Sequence, residues 1–398
     1  MTTSGTLVIL FCLATAVAIV VRRLRVPYTV ALVVAGLALG SFKVIDPPHL
    51  TKELLFTFFL PGLLFEAAFH LDLSVVRTVW RSVVALAVPG VLVATGIAAG
   101  IIVLVGGALG MGDVLDWKLA ITFAAIVAAT DPVAVTAIFR DLDAPPQLAT
   151  LVEGESLLND GTAVVLFSLV VAYVVGSDSG PVAMSAEFLL VAGGGLAVGL
   201  FVGWGTGIVI QQLDEAMIEI ALTMIAAYGS FVLAEAVGAS GVLATVAAGV
   251  MCGRHGRDQG MSAASRAAAE SFWLYVAFAL NSIVFLLIGF EFDGRRFLSL
   301  WPEALVAFTA MLIARAVIVG AVVLIQRRTR KAMPPSWGLI AVWGGLRGAL
   351  SMVLALALPT DFPQRDLIIS LTTGVVVASV VVQGTSMPLL LRRVGLKQ

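Results

Sequence analysis

Charged residues are scarce in this chain, and their scarcity excludes an ordinary soluble protein. Only 12% of the 398 residues are charged and 60% are hydrophobic, whereas soluble domains carry about 25% charged residues. The net charge of −1 provides no basic surface, so no nucleic-acid partner is expected. The composition instead predicts a protein that lies in the lipid bilayer.

Cysteine and histidine are also rare, which limits the chemistry that the chain can perform. The two cysteines, Cys12 and Cys252, fall in apolar runs and predict buried hydrophobic side chains rather than a disulfide. With only three histidines, the sequence has no paired metal-ligand pattern, and it has no nucleophile motif. We therefore expect neither an enzyme nor a bound cofactor.

Long apolar runs are abundant and predict an all-α, polytopic membrane protein. A transmembrane helix needs about 20 apolar residues, and the sequence contains about thirteen candidate segments. The first lacks a basic start and a clear cleavage site, which favours a retained helix over a signal peptide. The segments are residues 5–21, 27–41, 53–69, 82–106, 118–139, 149–175, 186–210, 217–237, 239–253, 272–291, 302–326, 336–358 and 367–391.

Basic residues are distributed unevenly between the two sets of predicted loops. Of the 24 lysines and arginines, most fall on one side, including Arg22, Arg23 and Arg25 after the first segment. Cytoplasmic loops carry such an excess. We therefore predict a multi-pass protein of the plasma (inner) membrane with its N-terminus outside and its C-terminus in the cytoplasm, where the short end after the last segment leaves no regulatory tail.

Two of the apolar segments are interrupted by residues that break helices. The fifth contains Asp131-Pro132, and the twelfth contains Gly344-Gly345-Leu346-Arg347-Gly348. Pairing segments one to six with eight to thirteen relates halves of opposite orientation, which predicts inverted repeats whose interrupted helices cross at a binding site. The alternative is that the glycines only allow close helix packing. The charge of Arg347 beside them favours a site.

The sixth segment carries acidic and polar side chains deep in apolar sequence. Asp160 lies four residues after Ser156 and shares its helix face, while Glu155 and Asn159 share an adjoining face. Such oxygens suit a hard monovalent cation, and a buried acid needs a cation, a proton or a basic partner. Alternatively, Asn159 bonds to another helix and Ser156 to its own helix.

The break in the fifth segment places another acid at a non-helical position. Asp131 precedes Pro132, which biases its backbone away from the helical region, so Thr130 and Asp131 are expected at an opened turn. A role for Asp131 as the cap of the following half-helix is the alternative, and it is compatible with contact to a cation.

Two arginines lie inside apolar segments and need carboxylate partners, because a desolvated guanidinium is costly without one. We predict that Arg315 pairs with Glu155 and leave the partner of Arg347 open. Glu66 either lines the approach to the site or faces polar surface at a helix end. Glu219 and Glu235 lie nearer segment ends and are predicted at the interface.

Five strings of residues are distinctive in combination. They begin at Phe59 (FLPGLLFEAAF), Ala129 (ATDPVAV), Glu153 (EGESLLNDGTA), Gly241 (GVLATVAAG) and Trp343 (WGGLRGA). Spread in this order over most of the chain, they resemble the cation:proton antiporter superfamily, specifically the NhaP-type prokaryotic relatives of animal sodium/proton exchangers.

The resemblance implies a homodimer of 13-helix protomers. It assigns a dimerisation domain to residues 1–80 and 213–298, a core ion-translocation domain to residues 81–180 and 299–398, and a linker helix to residues 181–212. It also implies that Asp160, Asp131, Thr130 and Ser156 hold a monovalent cation, beside a structural Glu155–Arg315 pair. Asn159-Asp160 resembles the pair typical of electroneutral exchangers.

The expected function is a secondary active antiporter that exchanges Na⁺, or Li⁺ or K⁺, for H⁺. Proton and cation would compete for buried carboxylates as the site alternates between the two sides, with one proton exchanged per cation. The alternatives are a potassium/proton antiporter and a cation channel of the same fold, although the sequence shows no filter-like repeat of carbonyls. Motifs decide neither the preferred cation, nor the direction of exchange, nor its pH profile.

Overall fold

Helices form all the regular structure of the residues that the computed structural model describes, which are 3–21, 27–41, 55–112, 115–176, 180–292, 294–327 and 333–394. Within these ranges the β geometry is confined to one isolated bridge between Asp131 and Leu346. The all-α prediction is confirmed.

The helices follow the predicted apolar segments closely. Four π-helical turns, Leu55–Phe59, Leu86–Gly90, Cys252–Arg257 and Ser379–Gln383, adjoin them. The helices are α1 Thr3–Val21, α2 Tyr28–Ser41, α3 Leu60–His70, α4 Leu73–Ala85, α5 Val91–Ala108, α6 Trp117–Ile126, α7 Val133–Asp141, α8 Pro146–Val175, α9 Pro181–Ile210, α10 Ala216–Ala236, α11 Gly241–Met251, α12 Ala263–Phe290, α13 Gly294–Ser299, α14 Trp301–Gln326, α15 Pro335–Trp343, α16 Ala349–Leu356, α17 Arg365–Ala378 and α18 Gly384–Arg393.

Seven helical stretches of the described chain are long and apolar enough to cross a membrane, and four more apolar helices are shorter. The protein is therefore a multi-pass membrane protein. Two stretches begin earlier than predicted. The stretch Leu73–Ala108 runs on through a π turn that contains Pro89, and α12 begins at Ala263 because its alanine-rich start has high helix propensity.

The chain folds into two compact units, each formed from separate stretches. The first comprises Met1–His49, Thr78–Asn159 and Asn281–Gln398, and the second comprises Leu50–Arg77 and Asp160–Leu280. The boundaries at 77/78, 159/160 and 280/281 fall inside α4, α8 and α12. The functional division into dimerisation and core domains is a separate question and stays a prediction.

The first unit contains both interrupted segments. The half-helices α6 and α7 flank a break at 127–132, and α15 and α16 flank a break at 344–348. A cluster of fully buried side chains, Val135, Leu148, Ile340 and Met387 among them, packs α7 and α15 against α8 and α18. Since lipid is as apolar as these side chains, packing rather than exclusion of water holds the half-helices in place.

Small residues bring α2 and α12 together in the first unit. A Cβ at Gly36 would overlap the carbonyl oxygen of Leu286, and one at Gly289 would overlap the carbonyl oxygen of Val33. Only glycine permits such contact between backbones. The position of α2 is thereby fixed against α12 with little freedom.

The second unit contains a close helix–helix contact at glycines and a core of aromatic side chains. Gly195, Gly199 and Gly203, four residues apart on α9, lie against the backbone of Ser240, just before α11, and of Ala244 and Ala248 within it, the small-residue spacing typical of close membrane helices. In the core, the rings of Phe65 and Trp273 are 4.7 Å apart.

Candidate functional site

The two helix breaks meet directly. The main-chain amide of Asp131 donates to the carbonyl of Leu346 at 2.8 Å, which forms the isolated bridge between the breaks. Backbone groups that a broken helix leaves open must be satisfied within the protein at membrane depth. An amide of the first break therefore satisfies a carbonyl of the second, and the interrupted segments cross as predicted.

The carboxylate of Asp131 lies at the N-termini of two half-helices. Its Oδ1 accepts a hydrogen bond from the amide of Val133 at 2.9 Å, and the amide of Ala349 at the start of α16 also donates to this carboxylate. Helix N-termini carry partial positive charge and bind anions. Asp131 thus accepts hydrogen bonds at the start of both half-helices, and it is the acid at the centre of the crossing.

The side chain of Arg347 lies at a helix C-terminus, whereas the carboxylate of Asp131 lies at helix N-termini. Its Nη1 donates to the carbonyls of Ala128 at 2.8 Å and Ala129 at 3.0 Å, just past the C-terminus of α6. Carbonyls at a helix C-terminus have no helical partner and carry partial negative charge. The partner of Arg347, which the sequence left open, is therefore main chain, and the guanidinium offsets the dipole of α6.

Asn159 connects α8 to the first break. Its Nδ2 lies 3.1 Å from Oγ1 of Thr130 and 3.2 Å from the carbonyl of Ala128, contacts by which the orientation of the amide is assigned. Ser156, one turn earlier, donates to the carbonyl of Thr130. Oδ1 of Asn159 is buried and accepts no hydrogen bond from the described residues, so it remains available as an oxygen ligand.

Glu155 and Arg315 form a buried ion pair. Nη1 and Nη2 of Arg315 donate to the two oxygens of Glu155 at 3.2 and 2.9 Å, and Nε donates to the carbonyl of Ala341 at 2.9 Å. This bidentate arrangement is the strong form of the pair. It joins α8 to α14 and α15, and Gly345 leaves the space that the guanidinium occupies.

The second acid predicted for the site, Asp160, follows Asn159 directly in the unbroken helix α8. It lies one helical turn after Ser156 and is the first residue of the second unit. Thr130, Ser156 and Asn159 are buried, whereas Asp131 and Asp160 are each partly exposed.

Other acids singled out in the sequence lie in the second unit. Glu66 lies beside His70, with its Oε1 3.2 Å from Nδ1. Glu235 is exposed near the end of α10. Glu219, in the first turn of α10, is fully buried, and neither carboxylate oxygen accepts a hydrogen bond within the part of the chain described here.

One polar network at the crossing escaped the sequence analysis. Ser379 accepts a hydrogen bond from the amide of Arg347 at 3.0 Å and donates to Gln383, whose Nε2 donates to the carbonyl of Trp343 at 3.0 Å. The network satisfies backbone groups on both sides of the second break. The available signal was two polar residues four apart in an apolar run, a spacing that places them on one helix face.

The arrangement gathers oxygen atoms of several kinds around one helix crossing. A carboxylate from Asp131, hydroxyls from Thr130 and Ser156 and the amide oxygen of Asn159 come from two elements of the first unit. Hard monovalent cations prefer such ligands. A carboxylate can also take a proton, so one set of groups is suited to either ion.

Comparison of the sequence with those of known proteins identifies its family. A family model described as "Sodium/hydrogen exchanger, transmembrane" matches residues 7–393. The chain is 38% identical over 350 residues to the Na⁺/H⁺ antiporter NhaP of Pseudomonas aeruginosa, an alignment that covers 86% of this chain and 81% of that protein. It is 36% identical over 393 residues to the Na⁺/H⁺ antiporter NhaS2 of a Synechocystis strain, with 98% and 71% covered.

A solved structure shares the fold. The sodium proton antiporter MjNhaP1 from Methanocaldococcus jannaschii superposes with a TM-score of 0.77 at 20% identity, covering 98% of each chain. The family match spans nearly the full sequence, and the relatives are similar over most of their own lengths. The chain belongs to the sodium/hydrogen exchanger family.

Proposed function

We propose that this protein is a secondary active antiporter that exchanges Na⁺ for H⁺ across the membrane. The observation that carries the proposal is the setting of Asp131, held by the amides of two half-helices beside the hydroxyl and amide groups of α8. Relatives of similar sequence are named Na⁺/H⁺ antiporters. Na⁺ and H⁺ are thus the transported ions.

The exchange arises from competition for the carboxylates. When Asp131 or Asp160 holds a proton, it loses the charge that attracts Na⁺, and a bound Na⁺ likewise disfavours protonation. Thr130 and Ser156 contribute further oxygen ligands, and Asn159 orients Thr130 through its hydrogen bond. The two ions cannot occupy the site together, which couples their movement without a separate gate.

The stoichiometry follows from the residue before Asp160. Asn159 takes up no proton, and Glu155 is held by Arg315 in a bidentate pair. Asp160 is then the one titrating acid at this step of the helix, and we assign a ratio of one proton to one monovalent cation, so that each cycle moves no net charge. Glu155, Arg315 and Arg347 stabilise the site rather than carry the ions, and Glu66, paired with His70, modulates the charge near the transport path.

The protein works as a homodimer in the plasma membrane, with its N-terminus outside and its C-terminus in the cytoplasm. The excess of basic residues on one side supports this orientation, and the family resemblance supports the dimer. Transport proceeds by alternating access, in which the core domain carries the site between the two sides while the dimerisation domain stays fixed.

The test is cation-driven proton movement in sealed proteoliposomes, followed with a pH-sensitive dye. The Asp160→Asn variant keeps the side-chain shape and removes the charge, so exchange should be lost while the protein still folds. The Asp361→Asn variant is the matched control, since Asp361 is exposed in the loop before α17, and it should exchange normally. Proton flux that persists in Asp160→Asn overturns the assignment of that acid.

A panel of cations in the same vesicles separates the competing functions. Response to K⁺ with none to Na⁺ would make the protein a potassium/proton antiporter. A channel would give a conductance in planar bilayers with no obligatory proton movement. An antiporter moves protons against a cation gradient without current.

A further inference from the structure

A hydroxyl group on α2 lies in the same small cleft as Asp131. Thr29 is buried, with 4% of its surface exposed, and its Oγ1 has no hydrogen-bond partner among the described residues. The cleft is lined by Thr29, Asp131, Ala134, Phe285, Leu346, Arg347 and Val380. None of the motifs that mark the ion site includes this threonine.

The helix that carries Thr29 is held firmly in place. The adjacent Tyr28 shares a hydrogen bond of 2.9 Å with Ser282 on α12 and donates to the carbonyl of Ala14 at 3.1 Å. Further along, Gly36 and Gly289 bring the backbones of α2 and α12 together. The contacts with α1 and α12 therefore fix the position of the Thr29 hydroxyl.

An unpartnered hydroxyl is unfavourable in such a place. Threonines in membrane helices usually donate to a carbonyl of their own helix, as Thr95 does to Val91, but Thr29 does not. The cleft has no room for a water molecule in this conformation. Valine would fill the same volume without burying an unsatisfied polar group, so packing alone does not explain a threonine here.

We propose that Oγ1 of Thr29 is a further ligand of the transported cation. This assignment rests on the proposed cation exchange. A dehydrated cation at Asp131 would provide the contact that the hydroxyl lacks. The other charged group of the cleft, Arg347, directs Nη1 to the carbonyls of Ala128 and Ala129, and the carboxylate remains the group that attracts the cation.

The proposal gives α2 a part in ion selection. In the cation-bound state of this conformation, the ligands would come from α8, from the first break and from α2, and the contact with α2 would be released when the core domain moves. The proton-bound state needs no oxygen from Thr29, because a proton resides on the carboxylate alone. Loss of the hydroxyl should therefore weaken cation binding and leave the rate of the proton-loaded step unchanged.

The experiment compares Thr29→Val with Thr29→Ser in proteoliposomes. Thr29→Val should raise the apparent KM for Na⁺ by about tenfold, the effect of one contact to a charge, while the maximal rate at saturating Na⁺ stays near that of the unmodified protein. Thr29→Ser keeps the hydroxyl and should restore most of the affinity. Thr372→Val is the matched control, since Thr372 on α17 also has a buried hydroxyl without a partner in the described ranges but does not line the cleft.

A binding measurement separates this inference from the proposed function. The purified protein should be stabilised against heat by added Na⁺, and the stabilisation should shrink in Thr29→Val but not in Thr372→Val. Normal exchange by the unmodified protein, together with an unchanged KM and unchanged Na⁺ stabilisation in Thr29→Val, overturns the role of Thr29 alone. Absence of both exchange and Na⁺ stabilisation in the unmodified protein overturns the cation site itself, and the inference with it.

Discussion

The carboxylate of Asp131 lies so close to Gly348 that a Cβ at this glycine would overlap its Oδ2. The contact explains why the second break requires a glycine at this point, where α16 begins and its first amide meets the acid. The sequence showed a glycine next to a charge, and the structure shows which acid occupies the space.

The Gly348→Ala variant should therefore lose exchange. The added methyl group must displace either the carboxylate or the start of α16, and small displacements of reacting groups are costly to function. Proteoliposome exchange measures the loss. Gly100→Ala serves as the control, because no atom lies within 4 Å of the Cβ position at Gly100, and it should behave normally. Full activity of Gly348→Ala would show that the carboxylate has room to move.

Glu155 and Arg315 should each stabilise the fold only while the other partner is present. Removing one partner strands a buried charge, at a cost of roughly 3–5 kcal/mol, so Glu155→Gln and Arg315→Gln should each lower the thermal stability of the detergent-solubilised protein. The double variant should lose less than the sum of the two. Strict additivity in this cycle would mean that the ion pair contributes no coupling energy.

Transport should be insensitive to membrane potential, because one proton exchanges for one monovalent cation. A potassium gradient with valinomycin sets the potential across the vesicle, and the rate should not change with it. Asn159→Asp adds a second titrating acid one residue before Asp160. It is the variant to compare, because a second acid there can change the number of protons exchanged per cation. Acceleration of the unmodified protein by the potential contradicts the one-for-one ratio, whether or not Asn159→Asp is active.

Glu219→Met should stabilise the solubilised protein by roughly 1–3 kcal/mol. The carboxylate of Glu219 is fully buried without a hydrogen-bond partner among the described residues, and an apolar side chain of similar length removes the unsatisfied oxygens. Glu187→Met is the control, because Glu187 on α9 is exposed and should change stability little. A melting temperature of Glu219→Met that does not rise would show that the buried carboxylate costs the fold nothing.

The local features of the site were readable in the sequence because each depends on a residue type at a fixed spacing. Pro132 interrupts a helix wherever it occurs in one, and Ser156 and Asp160 share a face in any α-helix. Arg315 and Glu155 belong to a very small set of charges in apolar sequence, and the structure contains the ion pair predicted between them.

The partners of Arg347 were not readable in the same way. Its Nη1 meets main-chain carbonyls, and every residue has a carbonyl, so no side-chain pattern marks the ones that a helix end leaves open. The polar network of Ser379 and Gln383 escaped for the same reason, since two of its partners are backbone groups.

Burial of a lone polar residue depends on what packs around it. Glu219 and Thr29 each stand one turn or less from the start of a helix, a position that in sequence suggests the membrane interface. Tertiary packing encloses both of them. The sequence by itself determined the helices, their breaks and the acids, because these follow from apolar length, from proline and glycine, and from the rarity of charge. Only the tertiary structure decided which backbone groups and which polar side chains face those acids, because that depends on contacts between residues far apart in the chain.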